Sequence, residues 1–283
     1  MKSESSHSGQ LYRLAAFSSD PKGGNPAGVW LGEHLPQPEI MQKIANEVGY
    51  SETAFITPTK GLEKIVRYYS PEAEVSFCGH ATIASGVVLG SQYGAGTYSF
   101  ATAVGAVPVE VKTGNKTITA TLTSVTPAQT PVTDEVLSEA LSLLSWTCDD
   151  LDSSIPPIKA YAGAWHLVIA LKSSTTLDKL KYDFEGMKEL MLREELTTLQ
   201  LVWRESDKIF HSRNPFPVGG VIEDPATGAA AAAFGGYLRD AKLLATPCAI
   251  TLFQGEAMGR PSTIEVSLPS TGGIEVTGSA VPI

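Results

Sequence analysis

The sequence predicts an α+β fold of two pseudo-repeated halves, each a curved, barrel-like β-sheet around a central helix. Three observations predict it. Strand-like runs outnumber helical ones along the chain. Two helical runs, Ala81 to Leu89 and Ala226 to Leu238, consist mostly of small residues. Both follow the same kind of junction, a strand exit, a turn and a helix start, at Cys78-Gly79-His80 and at Asp224-Pro225-Ala226-Thr227-Gly228. A helix of Ala, Gly, Ser and Thr lacks a wide amphipathic pattern and is expected to be buried all round. Repeated, strand-rich halves also argue against one doubly wound parallel sheet.

Element by element, Leu11 to Ser18 and Ala27 to Leu31 read as strands on either side of the loop Pro21 to Pro26. Pro38 to Val48 carries apolar residues at Ile40, Met41, Ile44, Ala45 and Val48, a helical spacing. Thr53 to Thr57 and Ile65 to Tyr69 are short strands. After the first small-residue helix, Thr97 to Ala103, Ala106 to Lys112 and Thr117 to Leu122 alternate β-branched and polar residues. Ser124 to Thr133, rich in Thr and Pro, reads as the linker. Asp134 to Leu144 and Phe184 to Leu196 read as amphipathic helices. Ile158 to Tyr161, His166 to Leu171, Thr198 to Trp203 and Lys208 to Ser212 read as strands. Ala249 to Gln254, Thr263 to Leu268 and Ile274 to Thr277 close the chain. The expected domains are 1–125, joined by the C-terminal strand 272–283, and 126–271.

A chain of 283 residues, 43% hydrophobic, suffices for two such halves. Its net charge of −9, with no cluster of Lys or Arg, speaks against nucleic acid and anionic membranes as partners. No apolar run is long enough to span a bilayer. The polar stretch Met1 to Gln10 reads as a floppy tail rather than a signal peptide. Cys78, Cys148 and Cys248 are few and widely spaced, as expected of reduced thiols in a cytoplasmic protein. There is no GxxxxGK[ST] loop and no GxGxxG after a strand. Nor do Glu52, His80 and Asp224 have the helical spacing of a metal site, so no metal is expected.

A helix start leaves backbone N–H groups unpaired and carries partial positive charge. Gly79 and Gly228 would let an anionic ligand approach there, and two such starts facing one cleft would clamp a carboxylate. The same glycines would serve equally well for close packing. Asp224 before Pro225 is also a good arrangement for capping a helix.

These motifs resemble the PhzF-like family, relatives of the phenazine-biosynthesis isomerase with a diaminopimelate epimerase-like fold. The marks are Gly24-Asn25-Pro26 with Ala27-Gly28-Val29, Gly49-Tyr50-Ser51-Glu52-Thr53-Ala54-Phe55, Phe77-Cys78-Gly79-His80-Ala81-Thr82, Glu223-Asp224-Pro225-Ala226-Thr227-Gly228, and Gln254-Gly255 followed by Gly259-Arg260-Pro261-Ser262. The resemblance implies a homodimer that uses no metal or organic cofactor and acts on a small carboxylate-bearing metabolite. It implies Glu52 as the general acid/base, with His80 and Asp224 beside it in the pocket. Ser51, Gly79, Gly228 and Ala229 fall at substrate-binding positions. In the family's best-understood reaction a proton moves between carbons of a dihydro-hydroxyanthranilate ring. One carboxylate can do this by taking the proton from one carbon and returning it to another.

The sequence departs from the pattern in two places. Ala229 stands where the phenazine enzyme has a substrate-contacting Ser. Cys78 stands where the epimerases of the superfamily keep a catalytic Cys, but Pro225 occupies the place of their second one. Two other readings therefore stay open: a Cys78-dependent epimerase of an amino-acid derivative, and a small-molecule-binding protein without catalysis.

Overall fold

The computed structural model describes residues 9–58, 61–115 and 117–283. Of the polar stretch Met1 to Gln10, residues 1–8 lie outside the described residues. The chain divides into two compact units, Met1–Leu122 with Gly278–Ile283, and Thr123–Thr277.

In chain order the elements up to the first junction are β1 (Gly9–Ala16), β2 (Asn25–Gly32), α1 (Pro38–Val48), β3 (Glu52–Pro58), β4 (Glu63–Tyr69), β5 (Glu74–Val75), α2 (Gly79–Tyr93), β6 (Gly96–Thr102), β7 (Gly105–Thr113) and β8 (Ile118–Thr123). The second unit continues with β9 (Ala128–Pro131), α3 (Asp134–Leu144), β10 (Ile158–Tyr161), β11 (Trp165–Leu171), α4 (Ser174–Asp178), α5 (Phe184–Arg193), β12 (Thr198–Arg204), β13 (Ile209–Phe216), β14 (Val221–Asp224), α6 (Gly228–Asp240), β15 (Cys248–Gln254) and β16 (Ser262–Leu268). The last strand, β17 (Glu275–Pro282), runs from the second unit into the first.

The halves repeat in topology. In the first unit the pairings β1–β2, β2–β3, β3–β4, β4–β6, β6–β7 and β7–β8 are antiparallel, parallel, antiparallel, parallel, antiparallel and antiparallel. In the second, β10–β11, β11–β12, β12–β13, β13–β15, β15–β16 and β16–β17 give the same series. Strand β17 pairs with β8 and, antiparallel, with β1, which closes an eight-strand barrel. Each parallel step needs a crossover. One crossover in each unit is the small-residue helix, α2 between β4 and β6, and α6 between β13 and β15.

Those two helices fill their sheets because their side chains are small. Ala81 through Gly90 of α2 are all buried, as are Ala230 through Arg239 of α6. A Cβ at Gly86 would stand 2.6 Å from the Ala120 Cβ, and one at Gly90 2.6 Å from Val111 Cγ1. Larger residues at these two positions would push the barrel wall outward. The other strand faces are covered by the amphipathic helices. Met41 and Ala45 of α1 pack with Trp30, Phe55 and Tyr69. Ala140 and Leu144 of α3 and Met187, Leu190 and Met191 of α5 pack on alternate residues of β11 and β12, including Leu167, Ile169, Leu199 and Leu201. By the two-residue period of a strand, Thr198 and Gln200 then face α6.

The structure corrects three sequence expectations and adds a short helix the sequence did not announce. The proposed linker contains β9, a four-residue strand paired with β10 from Ala128↔Tyr161 to Pro131↔Ile158. Its Ala-Gln-Thr-Pro carries no apolar alternation, so only the partner strand reveals it. The central helices begin and end elsewhere than at Ala81 to Leu89 and Ala226 to Leu238, spanning Gly79–Tyr93 and Gly228–Asp240. Helix α5 ends at Arg193, not Leu196. The short α4 has one buried apolar residue, Leu177, and hence no period; Ser173 caps it by accepting from the Thr175 amide. Among the described residues no helix is long and apolar enough to cross a membrane.

Candidate active site

Glu52 opens β3, opposite Ala27 on the parallel β2–β3 ladder. Phe55 packs against α1, so the two-residue period turns Glu52, with Ala54 and Ile56, toward α2. Cys78 is the extended residue immediately before α2, and His80 is the helix's second residue. The start of β3 and the start of α2 thus bring three reactive groups together. Cys78 Sγ donates to Glu52 Oε2 at 3.4 Å. His80 Nε2 lies 3.3 Å from the same oxygen. Cys78 Sγ is 3.4 Å from His80 Nδ1 and 3.8 Å from Nε2. The exposed Ser51 places its Oγ 3.3 Å from His80 Nε2.

The Glu52 side chain is 19% exposed and that of His80 8%, so the carboxylate sits at the edge of a largely dry cluster. Behind it the Tyr68 hydroxyl is 2.7 Å from Thr82 Oγ1, which in turn donates to the Cys78 carbonyl at 2.7 Å. Burial raises the Tyr68 phenol well above its ordinary value and keeps it neutral. The Tyr68 ring meets Phe77 edge-on, 5.8 Å between centroids, which steadies the strand exit before Cys78. A depression on the first unit, lined by Leu11, Arg13, Val87, Ser91 and Val281, contains none of these residues. Chemistry singles out the cluster.

In the second unit the structure groups Asp224, Gly228 and Ala229, and it corrects the capping expectation. Asp224 ends β14, and α6 starts four residues later at Gly228, so Pro225 is not in the first turn of the helix. The Asp224 carboxylate instead accepts from Thr227 Oγ1 at 2.6 Å. Neither Cys78 nor Thr227 caps its helix through the side chain. Gly79 and Ala229 are half-buried, and Gly228 is buried.

Two residues to which the sequence assigned no role hold this loop. The amide of buried Gln254 donates to the Asp224 carbonyl at 2.7 Å and to Thr227 Oγ1 at 3.0 Å, and its oxygen accepts from the Thr227 amide at 3.2 Å. Arg213 forks onto Glu223, with Nε to Oε2 at 2.9 Å and Nη2 to Oε1. Gly255 has φ +79, and a Cβ there would lie 2.7 Å from the Pro225 carbonyl and 2.4 Å from that of Arg260. The Gln254-Gly255 motif therefore lets one strand end run against the loop. Only that motif itself, distant in sequence, could have signalled the role.

The sequence profile described as "Phenazine biosynthesis-like protein" matches residues 14–283. The chain belongs to the phenazine biosynthesis-like family. "Uncharacterized isomerase YfhB" of Bacillus subtilis is 32% identical over 96% of each chain. Trans-2,3-dihydro-3-hydroxyanthranilate isomerase of Pseudomonas aeruginosa is 27% identical over 94% of each. A Bacillus anthracis phenazine biosynthesis protein of the PhzF family superposes with TM-score 0.86 at 22% identity, over 96% of each chain. A probable proline racemase from Agrobacterium radiobacter K84 superposes with TM-score 0.65 at 11% identity, over 98% of this chain and 91% of its own. The PhzF-family fold is thus of the epimerase and racemase type, and the family member described here is an isomerase.

Proposed function

We propose that this isomerase moves a proton between two carbons of a small carboxylate-bearing metabolite, with Glu52 as the single general acid/base and no cofactor. The observation that carries the reading is the Glu52 carboxylate, partly exposed, with a thiol and an imidazole on one of its oxygens. The carbon acid must be activated by its own unsaturation. Glu52 takes a proton from one carbon and delivers the same proton to another carbon, so nothing is consumed. His80 orients the carboxyl and polarises the substrate. The backbone at Gly79 and Gly228, with Asp224, is proposed to hold the substrate's carboxylate and amine. Ser51 adds a hydroxyl contact, and Ala229 adds none.

The test is incubation with candidate unsaturated carboxylates in heavy water, following C–H exchange by NMR. Glu52-dependent exchange is the expected result. Exchange that persists in Glu52→Gln overturns the assignment. The homodimer and the cytoplasmic setting belong to the same reading, supported by the family likeness and by three free thiols. Light scattering of the purified protein checks the dimer.

The contact of Cys78 with both His80 and Glu52 favours a second reading, an epimerase that uses the thiolate as its base. Under it, Cys78→Ala abolishes α-proton exchange. Under the first reading that variant retains exchange.

A further inference from the structure

We propose that Cys78, His80 and Glu52 form a three-ligand site for a thiophilic divalent cation, zinc in the first place, and that the bound ion switches the isomerase off. The three groups each offer one donor atom, and all three atoms lie within 4.8 Å of one another. A tetrahedral zinc ion with bonds of about 2.3 Å to sulfur and about 2.0–2.1 Å to nitrogen and oxygen requires ligand–ligand edges of about 3.4 Å for N···O and about 3.6 Å for S···N and S···O. The edges here are 3.3 Å for His80 Nε2 to Glu52 Oε2, 3.4 Å for Cys78 Sγ to Glu52 Oε2 and 3.8 Å for Cys78 Sγ to His80 Nε2. These edges match the tetrahedron in length to within about 0.2 Å, but Sγ lies nearer Nδ1, at 3.4 Å, than Nε2, so the imidazole must turn on its side-chain bonds to aim a ring nitrogen at a common ion.

The donor set selects the metal. Magnesium and calcium take oxygen ligands, whereas a thiolate with an imidazole and one carboxylate suits zinc and its neighbours. Two features hold the backbone of Cys78 and His80 in place. Cys78 is pinned through its carbonyl by Thr82, and His80 is fixed in the first turn of a buried helix. Glu52 is the most exposed of the three ligands, which leaves the fourth position for water or a substrate oxygen.

The inhibitory part rests on the proposed role of Glu52. An ion on Oε2 occupies the lone pair that would take the substrate proton, and the cysteine proton leaves to solvent on binding. The metal is thus a regulator of the chemistry and takes no step in it.

The test uses the full chain with Cys148→Ser and Cys248→Ser, which removes the other two thiols, and cobalt(II) or zinc(II) alone as probe. Expected is one cobalt per chain with a thiolate-to-metal charge-transfer band, displaced by zinc. Zinc-edge absorption should show one sulfur among nitrogen and oxygen neighbours. Cys78→Ala should abolish the band. Glu52→Gln and His80→Asn should each weaken zinc binding by more than the about 10–100-fold that loss of an outer-shell partner costs. No band in the parent, or a zinc shell without sulfur, overturns the site whether or not any variant folds. A band retained in Cys78→Ala overturns it equally. These readouts need no substrate, so they stand apart from any failure of the isomerase reading. If proton exchange proves Glu52-dependent but saturating zinc leaves it unchanged, the switch is overturned.

Discussion

Glu52 stands opposite Ala27 on the parallel β2–β3 ladder, and Thr198 stands opposite His166 on the parallel β11–β12 ladder. The two addresses correspond in the repeated topology: both open the strand that follows the first crossover, and both face the central helix. Their chemistry differs completely. In the first unit the acid is partly exposed and shares its oxygen with Cys78 and His80. In the second, His166, Thr198, Gln200 and Asn214 are sealed inside. Thr198 Oγ1 is 2.8 Å from His166 Nδ1 and accepts from Asn214, which also donates to Gln200. Among the described residues, His166 Nε2, Gln200 Nε2 and Asn214 Oδ1 remain without a hydrogen-bond partner. Burial pushes the His166 imidazole down to about 3 and keeps it neutral. The repeat supplies a polar address twice, but only the first copy is open to solvent. The second unit's candidate site residues, Asp224, Gly228 and Ala229, lie instead at the end of β14 and the start of α6.

Four experiments would break or sharpen that contrast. The largest effect is expected from Glu52→Gln, which should cut proton exchange by about 10²–10⁴-fold. Unchanged circular dichroism would show that the fold survives. His166 should govern acid stability. From about pH 6.5, its ordinary value, down to about 3, the unfolded chain binds a proton that folded His166 refuses. Stability should therefore fall with falling pH across that window, by up to about 1.4 kcal/mol per pH unit. His166→Gln should flatten this limb in urea titrations at several pH values, and an unaltered limb would locate the acid sensitivity elsewhere.

Gln254→Leu should come next. It removes two donors and an acceptor from the Asp224–Gly228 loop, and it should cost about 1–3 kcal/mol in thermal unfolding while also lowering turnover. Full activity would show that the loop needs no such brace. The smallest effect is expected from Ala229→Ser, at a half-buried position on the second residue of α6. The restored hydroxyl should tighten binding of an aromatic carboxylate by about 0.5–1.5 kcal/mol, read by calorimetry.

Much of this was legible from the chain alone. Helices α1 and α3 announced themselves by apolar period, and both match the expected bounds. The small-residue runs revealed two buried central helices because only such residues fit inside a narrow sheet. Strand β9 was not legible, since an edge segment without apolar alternation is defined by its neighbour. The site was legible in parts. The motifs named Ser51, Glu52, His80, Asp224, Gly79 and Gly228 as candidates, and they marked Cys78 only as an epimerase-type cysteine without its partner. Its place against Glu52 joins positions 26 residues apart in the sequence, and no spacing rule connects a strand start to a helix start.

The sequence by itself determined the fold class, the repeat and the family, because those follow from periodicities and motifs that are local along the chain. Only the tertiary structure decided which polar residues meet. It put one thiol, one imidazole and one carboxylate on a common face, moved Asp224 from helix cap to loop partner of Thr227, and buried His166 beyond the reach of protonation at neutral pH. The reason is physical. Contact distance and solvation depend on how strands register and close around a helix, and neither quantity is written in any short stretch of residues.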